Sequence, residues 1–175
     1  IDYVLNELND AAAQLPAAND NGWPLGRATA GAALALKSRL ALYAASPLYN
    51  AGTWEQAVKA SADVIALNKY GISQDGYRAL FQKASNSNEI IFARYYSVGA
   101  RHVPMEIANG PNGYDGWGGN VPLQNLVDAY RMNNGKAIDE SGSGYDPQNP
   151  YENRDPRFYH TILHDGASYR GRVVE

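Results

Sequence analysis

The stretch at residues 26–50, GRATAGAALALKSRLALYAASPLYN, constrains the fold more than any other part of the chain. Alanine recurs through it at helical spacing, and such small side chains let two helix backbones approach closely. Thr29 is well placed to accept hydrogen bonds from the free amides of a first helical turn. Pro47 cannot continue a helix, and it biases Ser46 away from helical angles. The sequence therefore predicts one helix at about 29–45.

A second helix is predicted after a short loop. The sequence TWEQ at residues 53–56 fits a capping box, in which Thr53 caps the helix and Gln56 returns a hydrogen bond. Apolar residues at helical spacing then continue to Leu67. The two helices are joined by residues 47–52 and should pack as an antiparallel pair, which is the unit of tetratricopeptide-type arrays. The full tetratricopeptide consensus is absent, so this prediction depends on alanine spacing and on the helix–turn–helix geometry.

Five ordered blocks of the chain resemble the SusD/RagB family of nutrient-binding outer-membrane lipoproteins. They are the helix pair, NEIIFARYYS (88–97), GWGGNVPLQNLVDAYRMNNG (116–135), YDPQNPYENRDPRFYHTIL (145–163) and GRVVE (171–175). One alanine-rich helix would be weak evidence, whereas five ordered blocks that cover nearly the whole chain are strong evidence. The resemblance implies a mainly α fold, with a tetratricopeptide-like helical scaffold and a loop-rich half that carries short β-strands.

The composition changes near residue 83, from alanine-rich and helical to loop-rich and aromatic. We therefore predict that residues 1–82 form the helical scaffold and that residues 83–175 form the loop-rich part, both within one larger SusD-like domain. Family members are several times longer, so the resemblance also implies that this chain is an internal fragment. The start at Ile1 without a methionine agrees with that expectation.

Short strands and one more helix are predicted in the second half. Residues 89–96 are rich in β-branched and aromatic residues and favour a strand, although a helix stays open. Residues 157–163 alternate as a strand would, and residues 170–174 are predicted to pair with them across a turn that follows. Pro122 is expected as the first residue of the helix in LQNLVDAYRM.

The aperiodic, glycine-rich segment at residues 97–121 is the main candidate site, because loops of this length are usually functional or disordered. A carbohydrate site needs a flat aromatic face for the C–H side of a sugar ring, and polar side chains for its hydroxyls. The predicted ligand contacts are Trp117 and Tyr114, which would stack, and Asn112, Asp115 and Asn120, which would form hydrogen bonds. The structural alternative is that Trp117 fills the core beneath the following helix.

No catalytic or metal-binding constellation is evident in the sequence. There is no cysteine, HExxH, GxSxG or phosphate loop. His160 and His164 lie in a predicted strand, where they would point the same way without meeting. The segment from Asp139 to Gly144 resembles the start of a calcium loop, but the twelfth position is Pro150 rather than a glutamate. We therefore predict a protein that is not an enzyme and that needs no cofactor or metal.

Charge and hydropathy argue against two kinds of partner. The net charge is −3 and the 15 basic residues are scattered, which does not suit a nucleic-acid surface. No apolar run is long enough to span a membrane.

The resemblance implies an oligosaccharide or a peptide as ligand, a SusC-like TonB-dependent transporter as partner, and a lipid anchor outside this chain at the cell outer membrane. The alternative is a helical-repeat module that binds only proteins through residues 29–67.

Overall fold

The computed structural model describes residues 1–19, 22–82, 87–97, 99 and 104–175. The chain divides into two compact units, Ile1–Ala100 and Arg101–Glu175. Among the described residues, helices dominate, and two short strands form one antiparallel ladder. The predicted mainly α fold with short strands is therefore confirmed. The predicted boundary at residue 83 falls outside the described residues.

The described part of the first unit contains helices joined by loops. Its helices are α1 (Asp2–Gln14), α2 (Ala30–Ala45), α3 (Trp54–Ala66) and α4 (Tyr77–Gln82). At the start of α2, the Thr29 hydroxyl accepts a hydrogen bond of 3.1 Å from the first turn, and at its end Ser46 is extended. At the start of α3, Thr53 and Gln56 form both hydrogen bonds of the capping box. Both predicted helices are therefore confirmed. The sequence predicts them well because the capping hydrogen bonds lie within the first turn of each helix.

Alanines form the interface between α2 and α3. Ala41, Ala57 and Ala60 are buried together, and Ala45 packs against them. Because these side chains end at Cβ, the two backbones come close. The Lys37 ammonium on α2 lies 3.3 Å from the Asp63 carboxylate near the end of α3. At the other end of the interface, Ala44 near the end of α2 accepts a hydrogen bond of 2.8 Å from Ala51, just before α3. The end of α2 thus lies beside the start of α3 and its middle beside the end of α3, so the predicted antiparallel packing is confirmed.

The larger apolar side chains of the helix pair are mostly exposed. They include Leu36, Leu42, Tyr43, Trp54, Val58 and Ile65. Alanines of α2, Leu36 and residues of α1 line an apolar groove of about 580 Å³ that residues 91–92 also border. The helix pair thus keeps its small residues inside and presents much of its apolar surface outward.

The second unit contains shorter elements. They are α5 (Met105–Asn109), α6 (Gln124–Ala129), α7 (Pro156–Thr161), β1 (Ser168–Tyr169) and β2 (Arg172–Val173). Val127 on α6 and Phe158 on α7 are buried together with Ile162, and two tyrosine rings pack against them. The core of this unit therefore lies between α6 and α7.

Arg154 closes the C-terminal end of α6. Its Nη2 donates hydrogen bonds of 2.7 Å to the carbonyls of Val127 and Tyr130, and its Nη1 donates one of 2.8 Å to the Pro150 carbonyl. The carbonyls at a helix end lack partners within the helix and carry the negative end of its dipole, so a buried cation suits them. The guanidinium carbon also lies 5.0 Å from the centroid of the Phe158 ring. One side chain thus fastens the segment before α7 to the end of α6.

Two strand predictions are wrong. Residues 89–96 contain a turn and a bend and form neither a strand nor a helix. Residues 157–163 lie largely in helix α7, because the Asp155 carboxylate accepts a hydrogen bond from the Arg157 amide (2.8 Å) and Pro156 takes the first helical position. A cap followed by a proline is a strong helix start, and here it outweighs the alternating pattern.

The two strands form a different hairpin from the predicted one. The turn between β1 and β2 is Arg170-Gly171, and both residues have positive φ, 52° and 77°. Positive φ at both central positions is typical of the type I′ turn that connects two-residue hairpins. The predicted pairing of residues 170–174 with the segment at 157–163 is therefore wrong. The segment that was expected to be its partner is helical.

The start of α6 is also later than predicted. Leu123 is the capping residue, with extended angles (φ −72°, ψ 150°), and the first helical residue is Gln124. Pro122 therefore lies outside the helix. The prediction that it is the first helical residue is wrong by two positions.

Candidate functional site

The candidate segment is folded against a short helix. α5 occupies Met105–Asn109, within a stretch that was expected to be aperiodic, so that part of the prediction is wrong. Residues 98 and 100–103 of the segment lie outside the described residues. After α5 the chain turns back, and three consecutive amides donate to carbonyls on or next to the helix: Trp117 to Ile107 (2.8 Å), Gly118 to Gly110 (2.8 Å) and Gly119 to Ala108 (2.7 Å). Residues 117–119, which we call the loop tip, are therefore fixed by main-chain hydrogen bonds.

Two glycines allow this close approach. A Cβ at Gly116 would overlap the backbone carbonyl of Gly110, and one at Gly119 would lie 2.8 Å from the Ala108 carbonyl oxygen. Neither contact leaves room for a side chain, because the opposing atoms belong to the backbone. The glycine content of this segment thus serves its packing against α5.

Trp117 projects from the fixed tip. The residue is 67% exposed. Among the described residues, no hydrogen bond and no ring contact reaches its indole. Trp117 thus does not fill the core that lies between α6 and α7. Its ring is available to a flat apolar partner.

Tyr114 ties the loop to the hairpin. Its hydroxyl donates to the Val173 carbonyl (2.8 Å) and accepts from the Glu175 amide (2.9 Å). The guanidinium carbon of Arg172 lies 4.2 Å from the centroid of the Tyr114 ring and covers one face of it. Tyr114 therefore positions the loop, and only its remaining ring surface is open to a ligand.

The three polar residues of the predicted site differ in availability. The side-chain amide of Asn112, oriented to satisfy both groups, donates to the carbonyls of Gly116 (3.1 Å) and Trp117 (3.3 Å). The side-chain amide of Asn120 donates to the Asn109 side chain. The Asp115 carboxylate is 86% exposed and lies 4.0 Å from the nearest guanidinium nitrogen, that of Arg170.

The predicted five residues are therefore kept together on one folded loop. Trp117 and Asp115 offer open groups to solvent, whereas Tyr114 and Asn112 mainly hold the loop. Asn120 lines a groove of about 350 Å³ between the loop and the residues that follow α7.

The segment that resembles a calcium loop is held by a lysine. The Lys136 ammonium donates a 2.6 Å hydrogen bond to the Ser141 carbonyl, and the Asn134 amide donates to the Ser143 carbonyl (3.0 Å). A positive charge of the protein's own thus faces the carbonyls of this turn. In the described ranges, no group of three or more His, Cys, Asp or Glu side chains is placed to hold a metal ion.

A larger cleft in the same unit was missed by the sequence analysis. It has a volume of about 810 Å³ and is lined by residues 147–153, Tyr159 and residues 164–166. The sequence signal was the block YDPQNPYENRDPRFYHTIL, which combines tyrosines with amides and carboxylates. Tyrosine more often packs at the edge of a core, and the pattern alone does not show which rings face solvent.

Comparison with known proteins places the chain. The model of the SusD family matches residues 49–174. The chain belongs to the SusD family. The resemblance of the sequence blocks to SusD/RagB proteins is thus confirmed. No curated protein sequence matches the chain.

A solved structure of the family shares the fold. It is a SusD-like carbohydrate-binding protein from Bacteroides fragilis, with 27% sequence identity and a TM-score of 0.78. The match covers 98% of this chain and 33% of that protein, so the chain spans about one third of the length of this SusD-like relative. None of the described helices is both long enough and apolar enough to cross a bilayer.

Proposed function

We propose that the protein is a non-catalytic SusD-type binding protein that captures an oligosaccharide at the bacterial outer membrane and passes it to a TonB-dependent transporter. Membership of the SusD family supports this proposal, as does the carbohydrate-binding relative from Bacteroides fragilis. A lipid anchor outside this chain would attach the protein to the membrane surface. Membership of the SusD family is what supports the transporter partner and the location as parts of this proposal.

The exposed indole of Trp117 is the observation that carries the site assignment. A sugar ring presents a face of C–H groups, and an aromatic ring that is fixed and open to solvent suits it. Trp117 is open and sits on a backbone held by three hydrogen bonds to α5 and its end. Because the backbone at residues 117–119 is already ordered, stacking of a sugar on the indole costs little further conformational entropy. Asp115 would then accept hydrogen bonds from the hydroxyls, Asn120 would donate or accept, and Asn112 would accept through its side-chain oxygen while its amide stays bonded within the loop. Tyr114 would add its uncovered ring surface.

Replacement of Trp117 tests the site. We expect Trp117→Ala to weaken the binding of a neutral polysaccharide by about tenfold, since an aromatic contact contributes on the order of 1 kcal/mol beyond its buried area. Affinity electrophoresis through gels that contain pullulan, galactomannan, xylan or levan measures the change. The variant should keep its unfolding midpoint, because the indole has no hydrogen bond or ring contact among the described residues.

A second tryptophan supplies the control. Trp54 on α3 is also exposed, at 55%, and lies in the other unit. Trp54→Ala should leave polysaccharide binding unchanged. If Trp117→Ala and Tyr114→Ala both retain the affinity of the parent protein, this site assignment is wrong.

The rival proposal is a protein-interaction module. The exposed apolar side chains of α2 and α3, such as Leu42 and Val58, favour it, because clustered apolar surface often marks a docking face. It predicts no binding to any polysaccharide and loss of a protein partner on Val58→Lys. Co-purification of a TonB-dependent transporter that survives Val58→Lys, together with polysaccharide binding, would favour the first proposal.

A further inference from the structure

The cleft of about 810 Å³ has an aromatic floor that is ordered before any ligand arrives. We call it the Tyr151 cleft, defined by residues 147–153, Tyr159 and residues 164–166. The Tyr151 ring stacks on the His164 ring, with centroids 4.6 Å apart and planes 29° from parallel. On the core side, the Tyr151 ring also stacks on buried Phe158 at 6.1 Å. The floor is therefore an extension of the hydrophobic core that reaches solvent.

The backbone of the cleft is held by Arg154 and Tyr159. The Tyr159 hydroxyl donates to the Tyr151 carbonyl (2.7 Å) and accepts from the Arg154 amide (3.0 Å). The Arg154 guanidinium donates to the Pro150 carbonyl. These bonds fix residues 150–154 from beneath, so the side chains that project into the cleft start from a rigid backbone.

The rim is fixed as well. The Asp146 carboxylate accepts hydrogen bonds from the Gln148 backbone amide (2.9 Å) and the Asn149 side chain (2.7 Å). The bond from the Asn149 side chain and the bond from Gln148 lower the pKa of Asp146, so the carboxylate stays ionised and keeps the turn closed. Residues 147–149 thus form a defined edge.

Polar side chains around this floor have no partner within the described parts of the chain. They are Gln148, Glu152, Asn153 and Asp165. Carboxylates accept strong hydrogen bonds from hydroxyl groups, and side-chain amides both donate and accept. An aromatic floor with such a rim matches a saccharide, which offers a C–H face and a ring of hydroxyls.

The charge of the cleft narrows the class of sugar. Glu152 and Asp165 bring two negative charges, and no lysine or arginine is among the described residues that line the cleft. A uronic acid or a sulfated sugar would place a third negative charge there, and the Arg154 guanidinium beneath the cleft is buried and already bonded to backbone carbonyls, so repulsion disfavours such ligands. We infer that the Tyr151 cleft is a second saccharide subsite, separate from Trp117, that takes a neutral sugar unit. This inference rests on the proposed function, since it assigns a further contact to the same class of ligand.

The test removes rim groups that have no structural partner. In the intact protein, the double variant Gln148→Ala/Asp165→Ala should bind neutral polysaccharides (pullulan, galactomannan, xylan or levan) about tenfold more weakly, because two hydrogen bonds to the ligand are lost. The matched control Gln82→Ala/Asp139→Ala removes the same side chains from exposed positions outside the cleft and should bind as the parent does. In affinity electrophoresis, gels that contain polygalacturonate or chondroitin sulfate should not slow the migration of the parent protein.

Four other outcomes of these binding and unfolding measurements would each contradict the inference in whole or in part. Unchanged binding by the Gln148→Ala/Asp165→Ala variant, with weaker binding by Trp117→Ala, would remove the Tyr151 cleft and leave the proposed function standing. A lower unfolding midpoint in place of weaker binding would mean that Gln148 and Asp165 stabilise the fold and do not contact a ligand, and it would remove the Tyr151 cleft as a subsite. Binding of polygalacturonate equal to that of the neutral polymers would overturn the neutral-sugar assignment. Absence of binding to every polysaccharide would overturn the proposed function and the inference together.

Discussion

At the scale of single residues, the second unit is organised around Arg154. The side chain is almost entirely buried, at 2% exposure, and three backbone carbonyls accept its hydrogen bonds. A buried cation is favourable only where such acceptors compensate for the water that it loses. Its Nε has no partner within the described residues, so the balance rests on Nη1 and Nη2.

We expect Arg154→Met to lower the free energy of unfolding by about 3 kcal/mol, because it removes the donor of three hydrogen bonds to backbone carbonyls in the buried part of this unit. Urea denaturation followed by far-ultraviolet circular dichroism measures the change. The comparison variant is Arg131→Met, since Arg131 is exposed and donates a single hydrogen bond to the Gly135 carbonyl. It should cost under about 1 kcal/mol. Equal losses in the two variants would contradict the role given to Arg154.

Asp155 gives the stability of the second unit a dependence on pH. Hydrogen bonds from the Arg157 side chain and the Arg157 backbone amide lower the pKa of Asp155 to about 2. The unfolded chain binds this proton near pH 4. Because the folded-state pKa is the lower of the two, the stabilisation is present above about pH 4 and is lost as the pH falls toward 2.

The variant Asp155→Asn isolates that effect, since an amide oxygen still caps α7 but does not ionise. The parent protein should be the more stable of the two at pH 5, and the difference should shrink between about pH 4 and pH 2. Thermal unfolding midpoints of both proteins across this range provide the test. A difference that stays constant with pH would show that the charge of Asp155 contributes nothing.

At the scale of elements, the alanine interface of α2 and α3 sets how closely the two helices pack. Ala60 is 1% exposed and faces Ala41 and Ala57. Interiors are close-packed, so a larger side chain at this point must push the helices apart or adopt a strained rotamer.

Ala60→Leu should therefore destabilise the first unit by about 1–3 kcal/mol. Ala62→Leu adds the same atoms two residues away on the exposed face of α3 and should change stability by less than about 0.5 kcal/mol. Denaturant titration of the two variants side by side decides the matter. Similar stabilities would mean that the interface tolerates expansion and that its alanines are not required.

Elements with local signals were predictable from the sequence, and those that depend on distant partners were not. Thr29 and the capping box at residues 53–56 fixed α2 and α3, because the hydrogen bonds concerned lie within one turn. The strand predicted at 157–163 is absent because the Asp155 cap and Pro156 start a helix there, which an alternating pattern of apolar residues does not reveal. The hairpin depends on Arg170 in a left-handed conformation, which non-glycine residues rarely adopt.

The candidate site also has a part that the sequence predicts and a part that depends on distant residues. Its loop was identified from composition, yet the roles of Tyr114 and Asn112 as braces depend on β2 and on the folded tip, which no pattern within the loop reveals. The Tyr151 cleft was missed because it joins residues 147–153 to residues 164–166 across α7. That contact exists only once Arg154 and Tyr159 hold the segment in place.

At the scale of the whole molecule, many large apolar side chains of the described chain are exposed. The large side chains of α2 and α3 that face solvent include Leu42, Val58 and Ile65. The SusD-like relative with the same fold is about three times as long. Exposed apolar clusters of this kind bind hydrophobic dyes and other protein surfaces.

The 175-residue chain alone should therefore bind bis-ANS strongly, and Val58→Lys/Ile65→Lys should reduce the fluorescence by about half, because the charges break the apolar cluster. The control is Val121→Lys, which changes an exposed valine in the second unit. Dye fluorescence at equal protein concentration is the measurement. Equal effects of the two sets would show that the dye does not select the helix pair.

Because main-chain hydrogen bonds hold the loop tip, its side chain at position 117 can be replaced in evolution without loss of the backbone structure. The anchoring contacts at positions 117–119 are made by main-chain amides, and the side chain at 117 takes no part in them. A phenyl, an isobutyl or a hydroxymethyl group at this position would be displayed at the same place and angle as the indole. Under the proposed function, a single substitution at position 117 would change the surface offered to a sugar and leave the hydrogen bonds beneath it intact.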